Sequence, residues 1–201
     1  MTDVYTPRFY RSIRRGAISS AKVLAPLFVE TFGPRSTIDV GCGEGWLVHE
    51  LHQPPARVAI GLDEHVPAGI RADLGRPPYP TLGPYDLAVC LEVAEHLDET
   101  VADTFVGWLV SLAPTVVFSA AVPGQGGDGH VNEQPPSYWV EKFARHGYPG
   151  TGVLRDRVWD DRRVCWWYSQ NLLVFGAHGL PEDGCPLRTH PIAERWRGGR
   201  R

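Results

Sequence analysis

Long apolar runs are missing from this chain of 201 residues: nowhere do ~18 apolar residues follow one another, so no membrane-spanning helix is expected. The opening stretch "MTDVYTPRFYRSIRRG" has neither an apolar core nor a small-residue cleavage site. That excludes a secretory signal and leads to the expectation of a soluble, unprocessed, cytoplasmic protein. Lysine is scarce, with Lys22 and Lys142 alone, and arginine carries the remaining positive charge. An excess of one sign is also lacking. A formal charge of −3 and a pI near 6.2 give no broad attraction for phosphate backbones or anionic lipid, so neither nucleic acid nor a membrane is expected as partner. Cys42, Cys90, Cys165 and Cys185 form no C-x-x-C pair, which argues against a zinc ribbon or a disulfide framework and for a reducing compartment.

What is present is a patterned chain with 43% hydrophobic residues, enough to bury one core. Residues 1–201 are expected to form one domain, with 1–33 as N-terminal lid or packing helices, 34–176 as the core and 177–201 as a tail. "AISSAKVLAPLFVETFG" spaces Ala21, Leu24, Leu27 and Phe28 as a helix face and stops at Gly33 and Pro34. Strand patterns follow at 36–40, 57–63, 85–92 and 115–123, with helices over 44–52 (closed by Pro54 and Pro55) and 100–113 between them. Such alternation predicts a parallel sheet covered by helices on both faces, a doubly wound α/β fold. After a Gly/Pro-rich loop, "GQGGDGHVNEQPPSYW", a helix begins at Pro136. Then "LRDRVWDD" and "WWYSQNLLVF" read as two antiparallel strands joined by "WDDRR".

The segment "IDVGCGEGW" joins a strand to a helix through three alternate glycines. A dinucleotide turn would need its third glycine at 46, where Trp46 stands, and no G-K-[ST] follows for a phosphate loop. What remains is Asp39-x-Gly41-x-Gly43-x-Gly45, with a carboxylate beside the turn. That carboxylate opposes a pyrophosphate and suits a ligand with an ammonium group. Asp63, ending the second strand in "GLD", is placed to accept hydrogen bonds from both hydroxyls of a ribose.

These residues resemble the class I S-adenosylmethionine-dependent methyltransferases, and the likeness extends over residues 20–125 through Asp73 of "ADL" and "YDLAVCLEVAEHL". The resemblance implies a Rossmann-like seven-stranded methyltransferase sheet of order 3-2-1-4-5-7-6 with an antiparallel last strand. It also implies S-adenosyl-L-methionine as cofactor. The glycine turn would hold its methionine part, Asp63 its ribose and Asp73 its adenine amino group, with Trp46, Leu74, Leu91 and Glu92 as further cofactor neighbours. "SAAVPGQGGDGHVNEQPPSYW" and "WWYSQN" are similar to a small bacterial subgroup associated with glycans or natural products.

On the acceptor side, His130 follows the fifth strand and is the candidate base for a hydroxyl acceptor, its alternative being a bond to a loop carbonyl. Asn132, Gln134 and Tyr138 offer hydrogen bonds to a polyhydroxylated acceptor. Trp139, Trp166 and Trp167 offer apolar walls, with only one of the neighbouring pair reaching the site from a strand, and Trp167 is the choice. His96 is expected to be structural or cofactor-side. Asp128, Glu133 and His130 have no metal-ligand spacing, and no metal is expected. Residues 3–15, with Tyr5, Phe9 and Tyr10, are either a lid or packing. The expected reaction is O-methylation of a sugar or natural-product intermediate. N-methylation of a small molecule, or a noncatalytic subunit that binds the cofactor, stands as alternative, and a homodimer is compatible with each.

Overall fold

Four short segments that are apolar along nearly their whole length become the buried parallel strands, because strands covered on both faces need no polar alternation. The computed structural model describes residues 7–52, 58–64, 69–176, 180 and 188–193. In chain order the elements are α1 (Pro7–Phe32), β1 (Ser36–Val40), α2 (Trp46–Leu51), β2 (Val58–Leu62), β3 (Leu87–Leu91), α3 (Ala102–Leu112), β4 (Thr115–Ser119), α4 (Pro136–Ala144), β5 (Gly150–Thr151), α5 (Val153–Val158), α6 (Trp166–Asn171) and β6 (Leu173–Gly176). One sheet of order β2-β1-β3-β4-β6-β5 results, and β6 is antiparallel to both of its neighbours.

This is the expected order with one strand removed. The missing third strand is reduced to a single parallel bridge between Leu62 and Ile70. Beyond it the chain carries Pro77, Pro78, Pro80 and Pro84, which have no N–H to give a ladder. A seventh strand is therefore not among the described elements.

Side chains alternate across the sheet. Ile38, Val40, Ala88, Cys90, Val116, Phe118 and Phe175 pack with Phe105, Leu109, Trp139 and Phe143 of α3 and α4. Leu87, Val89, Val117 and Val174 pack on the other face with Leu24 and Phe28 of α1 and with Leu154 and Val158 of α5. The helix stop at Gly33 holds: its φ is 58° and its N–H donates to the Val29 carbonyl at 2.9 Å. Toward the N-terminus α1 runs back to Pro7, ten residues earlier than its apolar periodicity begins at Ala17. Asp3, Tyr5, the Phe9 side chain, the Pro54–Pro55 stop and Cys185 lie outside the described residues.

The two late strands require correction. Residues 153–158 are helix α5, and "WWYSQN" is helix α6, leaving only 173–176 as strand β6. Aromatic β-propensity yields here to the polar residues that follow. Ser169, Gln170 and Asn171 are all buried, and a helix turns the three toward partners that a strand would have split between two faces. The partner of β6 in the antiparallel pair is instead the two-residue β5. No helix of the described residues is long and apolar enough to cross a membrane.

Candidate functional site

The parallel strands end together, and a cavity opens just past their carboxyl ends, the place where open α/β sheets bind ligands. Leaving β1, the chain turns through Gly41, Gly43 and Gly45, whose φ values of 78°, 53° and 82° lie in the left-handed region. Only glycine adopts these without strain. At Gly41 the need is also steric, since a Cβ there would meet Val93 Cγ2 at 2.2 Å. The turn is tied to β2 by Gly41 N–H donating to the Leu62 carbonyl at 2.7 Å, and Gly43 N–H donates to Asp63 Oδ2 at 3.0 Å. Asp63 is thus oriented by the same turn it was expected to complement.

Asp39, the last polar residue of β1, is 4% exposed, and burial with Asp63 nearby pushes its carboxyl up to about 7. Asp73 accepts from Gly75 N–H at 2.9 Å and faces Arg76 at 3.4 Å. These groups open onto one cavity of about 730 Å³. Asp39, Gly41, Gly43, Trp46, Asp63, Asp73, Leu74, Leu91 and Glu92 all stand on its wall. Gly45 is set back from the wall and begins α2. The opposite wall is α1, through Tyr10, Ile13, Arg14, Ala17 and Leu24. Arg14 bridges to the turn, 3.6 Å from Glu44 and over the Trp46 ring at 5.1 Å.

The wall is strongly acidic. It carries Asp39, Glu44, Asp63, Glu64, Asp73, Glu92, Glu95 and Asp128, against Arg14 as the sole lysine or arginine among the described residues. Such a surface attracts cations and repels phosphate. Glu92 is held with φ 55°, the one non-glycine residue in the left-handed region among the described residues. Strain of this kind persists where the surroundings over-determine it. Here Asn171 Nδ2 donates to both carboxylate oxygens at 3.1 and 3.3 Å, Gln125 Nε2 donates at 3.3 Å, and the Glu92 N–H donates to the Ser119 carbonyl at 3.0 Å. Burial raises its pKa in spite of these donors.

On the acceptor side His130 and Trp167 reach the cavity, and so does Trp166. A helix separates neighbours by about 100°, so both indoles of α6 share one wall, their rings edge to face at 5.7 Å. Asn132, Gln134 and Tyr138 are not on the wall. Asn132 is 2% exposed and accepts from Gln134 Nε2 at 2.9 Å, while Tyr138 packs on Trp139 at 4.9 Å under the Lys142 ammonium. Trp139 belongs to the core, against Phe118.

His130 Nδ1 lies 2.9 Å from Glu133 Oε1, and the Glu133 carboxylate also accepts from Gly124 N–H at 2.8 Å and Gly126 N–H at 2.6 Å. The glycine-rich loop is therefore organised around Glu133, and it carries His130 beside His96 with ring centroids 4.8 Å apart. Burial first, then His130, lower the pKa of His96 to about 4, so it is neutral near pH 7. Gln125, Asn171 and Glu95 were not assigned to the site from sequence, while Tyr10 was offered as part of a lid or packing segment and His96 as structural or cofactor-side. For Glu95, the i, i+3, i+4 spacing of Glu92, Glu95 and His96 was the available signal.

No family model matches the chain, and no curated protein matches it. Solved structures do. The magnesium protoporphyrin IX methyltransferase of Synechocystis PCC 6803 with bound SAH is 17% identical, with a TM-score of 0.57 over 86% of this chain and 89% of that one. The same enzyme with bound SAM gives 18% identity and 0.56, over 87% of this chain and 83% of that one. The methyltransferase domain of bacterial CtHen1-C gives 19% identity and 0.57, over 81% of this chain and the whole of that one. The chain has the methyltransferase fold. Within the methyltransferase fold, the β1 turn, the β2 end and the β4 loop all face the single cavity described above.

Proposed function

We propose that this chain transfers a methyl group from S-adenosylmethionine to a hydroxyl of a small molecule, a sugar or natural-product intermediate. The observation that carries the reading is the convergence of Asp39, the glycine turn, Asp63 and Asp73 on the wall of a single acidic cavity. Asp39 would meet the ammonium group, Asp63 the ribose hydroxyls and Asp73 the adenine amino group. The cavity lies in the range of small-molecule sites, and its acidic wall disfavours a polyanionic acceptor.

The transfer is an in-line displacement with a neutral thioether leaving, so alignment and exclusion of water supply most of the acceleration. The two indoles of α6 and Tyr10 form the apolar walls that exclude water. His130, held by Glu133, is the group beside the acceptor that handles the hydroxyl proton. An N-methyltransferase would need the same cavity, and the acceptor assay separates the two.

The test is calorimetric titration with S-adenosylmethionine, joined to transfer of labelled methyl into fractionated small-molecule extracts. Asp63→Ala is expected to weaken cofactor binding by roughly 10-fold to 100-fold, since the ribose loses a charged acceptor worth about 1.5–3 kcal/mol. Unchanged affinity in that variant sinks the placement. Binding without transfer to any fraction sinks the enzymatic reading in favour of a noncatalytic subunit.

A further inference from the structure

Among the described residues Glu95 is the one carboxylate whose two oxygens are both buried without a hydrogen bond of good geometry. Its side chain is fully buried, and only the backbone N–H groups of Glu95 and Ala121 act on it, without forming such a bond. A carboxylate taken out of water without well-placed donors is costly unless a cation faces it. What faces it is a second carboxyl, Glu92, whose like charge sharpens the need for a cation, and a pair of imidazoles. One ligand atom each from Glu95, His96 and His130 lies within 4.8 Å of the others, and all three residues line the cavity.

The surroundings of the two histidines are those of ligands. His130 Nδ1 is engaged by Glu133 Oε1 at 2.9 Å, and His96 Nδ1 by the Gly129 carbonyl at 3.3 Å. Engaging one ring nitrogen through a carboxylate or carbonyl fixes the tautomer, so that the other nitrogen carries the lone pair that a metal takes. The loop that brings His130 is fastened to Glu95 itself, since Val131 and Asn132 N–H both donate to the Glu95 carbonyl at 2.9 and 3.0 Å. Close approach of the ring depends on Gly127, where a Cβ would stand 2.3 Å from His130 Nε2.

We propose that Glu95, His96 and His130 bind one divalent first-row transition ion of the Mn²⁺, Fe²⁺, Co²⁺ or Zn²⁺ class, with its open positions toward the cavity. Two imidazoles and one carboxylate favour such ions over Mg²⁺ or Ca²⁺, which take oxygen donors. This departs from the expectation of no metal, which weighed Asp128, Glu133 and His130 and left out the two residues that join His130 in space. It deepens the proposed methyl transfer and rests on that reading for its chemical role alone. The acceptor oxygen coordinates the ion, and its proton passes to water at the cavity mouth. An oxygen lone pair then forms the new bond to the methyl carbon as the C–S bond breaks, and sulfur leaves with the C–S bonding pair as the neutral thioether. With the ion bound, His130 is a ligand and no longer the acceptor of the hydroxyl proton, a task the ion takes over by acidifying the hydroxyl, and Glu133 is the positioning residue of His130.

The experiment is titration of tag-free, chelator-treated protein with Co²⁺, read by visible d–d absorption and by calorimetry, with Mg²⁺ in parallel. One Co²⁺ per chain is expected. Glu95→Gln and His96→Asn should each abolish the band, and Glu133→Gln should weaken binding about 10-fold to 100-fold. Each variant is first checked for cooperative thermal unfolding, and if Glu95→Gln does not fold, His96→Asn and Glu133→Gln carry the test. Absence of the band in the wild type, its survival in Glu95→Gln or His96→Asn, or tighter binding of Mg²⁺ than of Co²⁺ overturns the site. S-adenosylmethionine binding is measured on the same samples. Co²⁺ bound without S-adenosylmethionine fails the methyltransferase reading and leaves the metal site standing, and the reverse result does the opposite.

Discussion

At the scale of the residue, Asp39 couples function to stability in opposite directions. Its folded pKa of about 7 lies above its ordinary value of 3.8, because the buried carboxyl resists ionisation beside Asp63. Between about pH 4 and 7 the unfolded chain has released this proton while the native chain holds it, so stability falls as pH rises through that window. Asp39→Asn removes the slope. The variant is expected to match the wild type near pH 4 and to exceed it at pH 8 by on the order of 2 kcal/mol in urea unfolding. It should also lose most of its affinity for S-adenosylmethionine. In the wild type the cofactor's ammonium draws the carboxyl toward ionisation, so binding at pH 6 should release a proton, read as a buffer-dependent calorimetric enthalpy that Asp39→Asn abolishes. Equal enthalpies across buffers would remove Asp39 from the ammonium site. The place of Asp39 on the cavity wall was legible in sequence because the end of a strand beside a glycine turn has one direction to face. The place of His130 on the wall was likewise legible from its position after β4. Its partners were not, since loop spacing does not say which way a side chain points, and Asn132 and Gln134 turn toward each other instead of the cavity.

At the scale of the element, α6 shows where periodicity misleads. Two tryptophans and a tyrosine ahead of "NLLVF" carry strong β-propensity, and the burial that decides the outcome lies in the amides. Asn171 Nδ2 donates to both oxygens of Glu92 and to Gln125 Oε1 at 3.0 Å, and Gln170 Nε2 donates to the same Gln125 oxygen at 3.2 Å. His190 N–H donates to Gln170 Oε1 at 2.9 Å, which fastens residues 188–193 to the same helix. The network keeps the indoles of α6 on the cavity and Glu92 in its strained conformation. Asn171→Leu keeps the volume and deletes the donors. A loss of about 1–3 kcal/mol is expected from the urea midpoint, the cost of leaving a buried acceptor short of donors. A midpoint equal to wild type would mean that the network contributes nothing to holding α6. The lost third strand has a comparable cause, four prolines within eight residues (77–84), a signal present in the sequence and outweighed there by the family order.

At the scale of the whole molecule, the sheet divides the protein into two unequal faces. One packs α3 and α4 into an aromatic core in which Phe143 and Phe175 stack at 3.8 Å, and no residue of α4 reaches the cavity. The other carries α1 across the strand ends, where Tyr10, Ile13 and Arg14 close the cavity and Arg14 clamps Glu44 and Trp46. On the proposed placement S-adenosylmethionine lies beneath α1 and must be uncovered before it leaves, so opening of α1 and release would be linked. Any opening that exposes the site is suppressed by the factor 1 + [L]/Kd, about 100-fold at a ligand concentration 100 times Kd. Amide hydrogen exchange over residues 10–24 is therefore expected to slow up to about 100-fold with saturating S-adenosylmethionine, while exchange in α3 and α4 changes little. Equal protection on both faces would show that the cofactor acts through global unfolding alone. Unchanged exchange in 10–24 despite calorimetric binding would show that α1 packs beside the site without covering it.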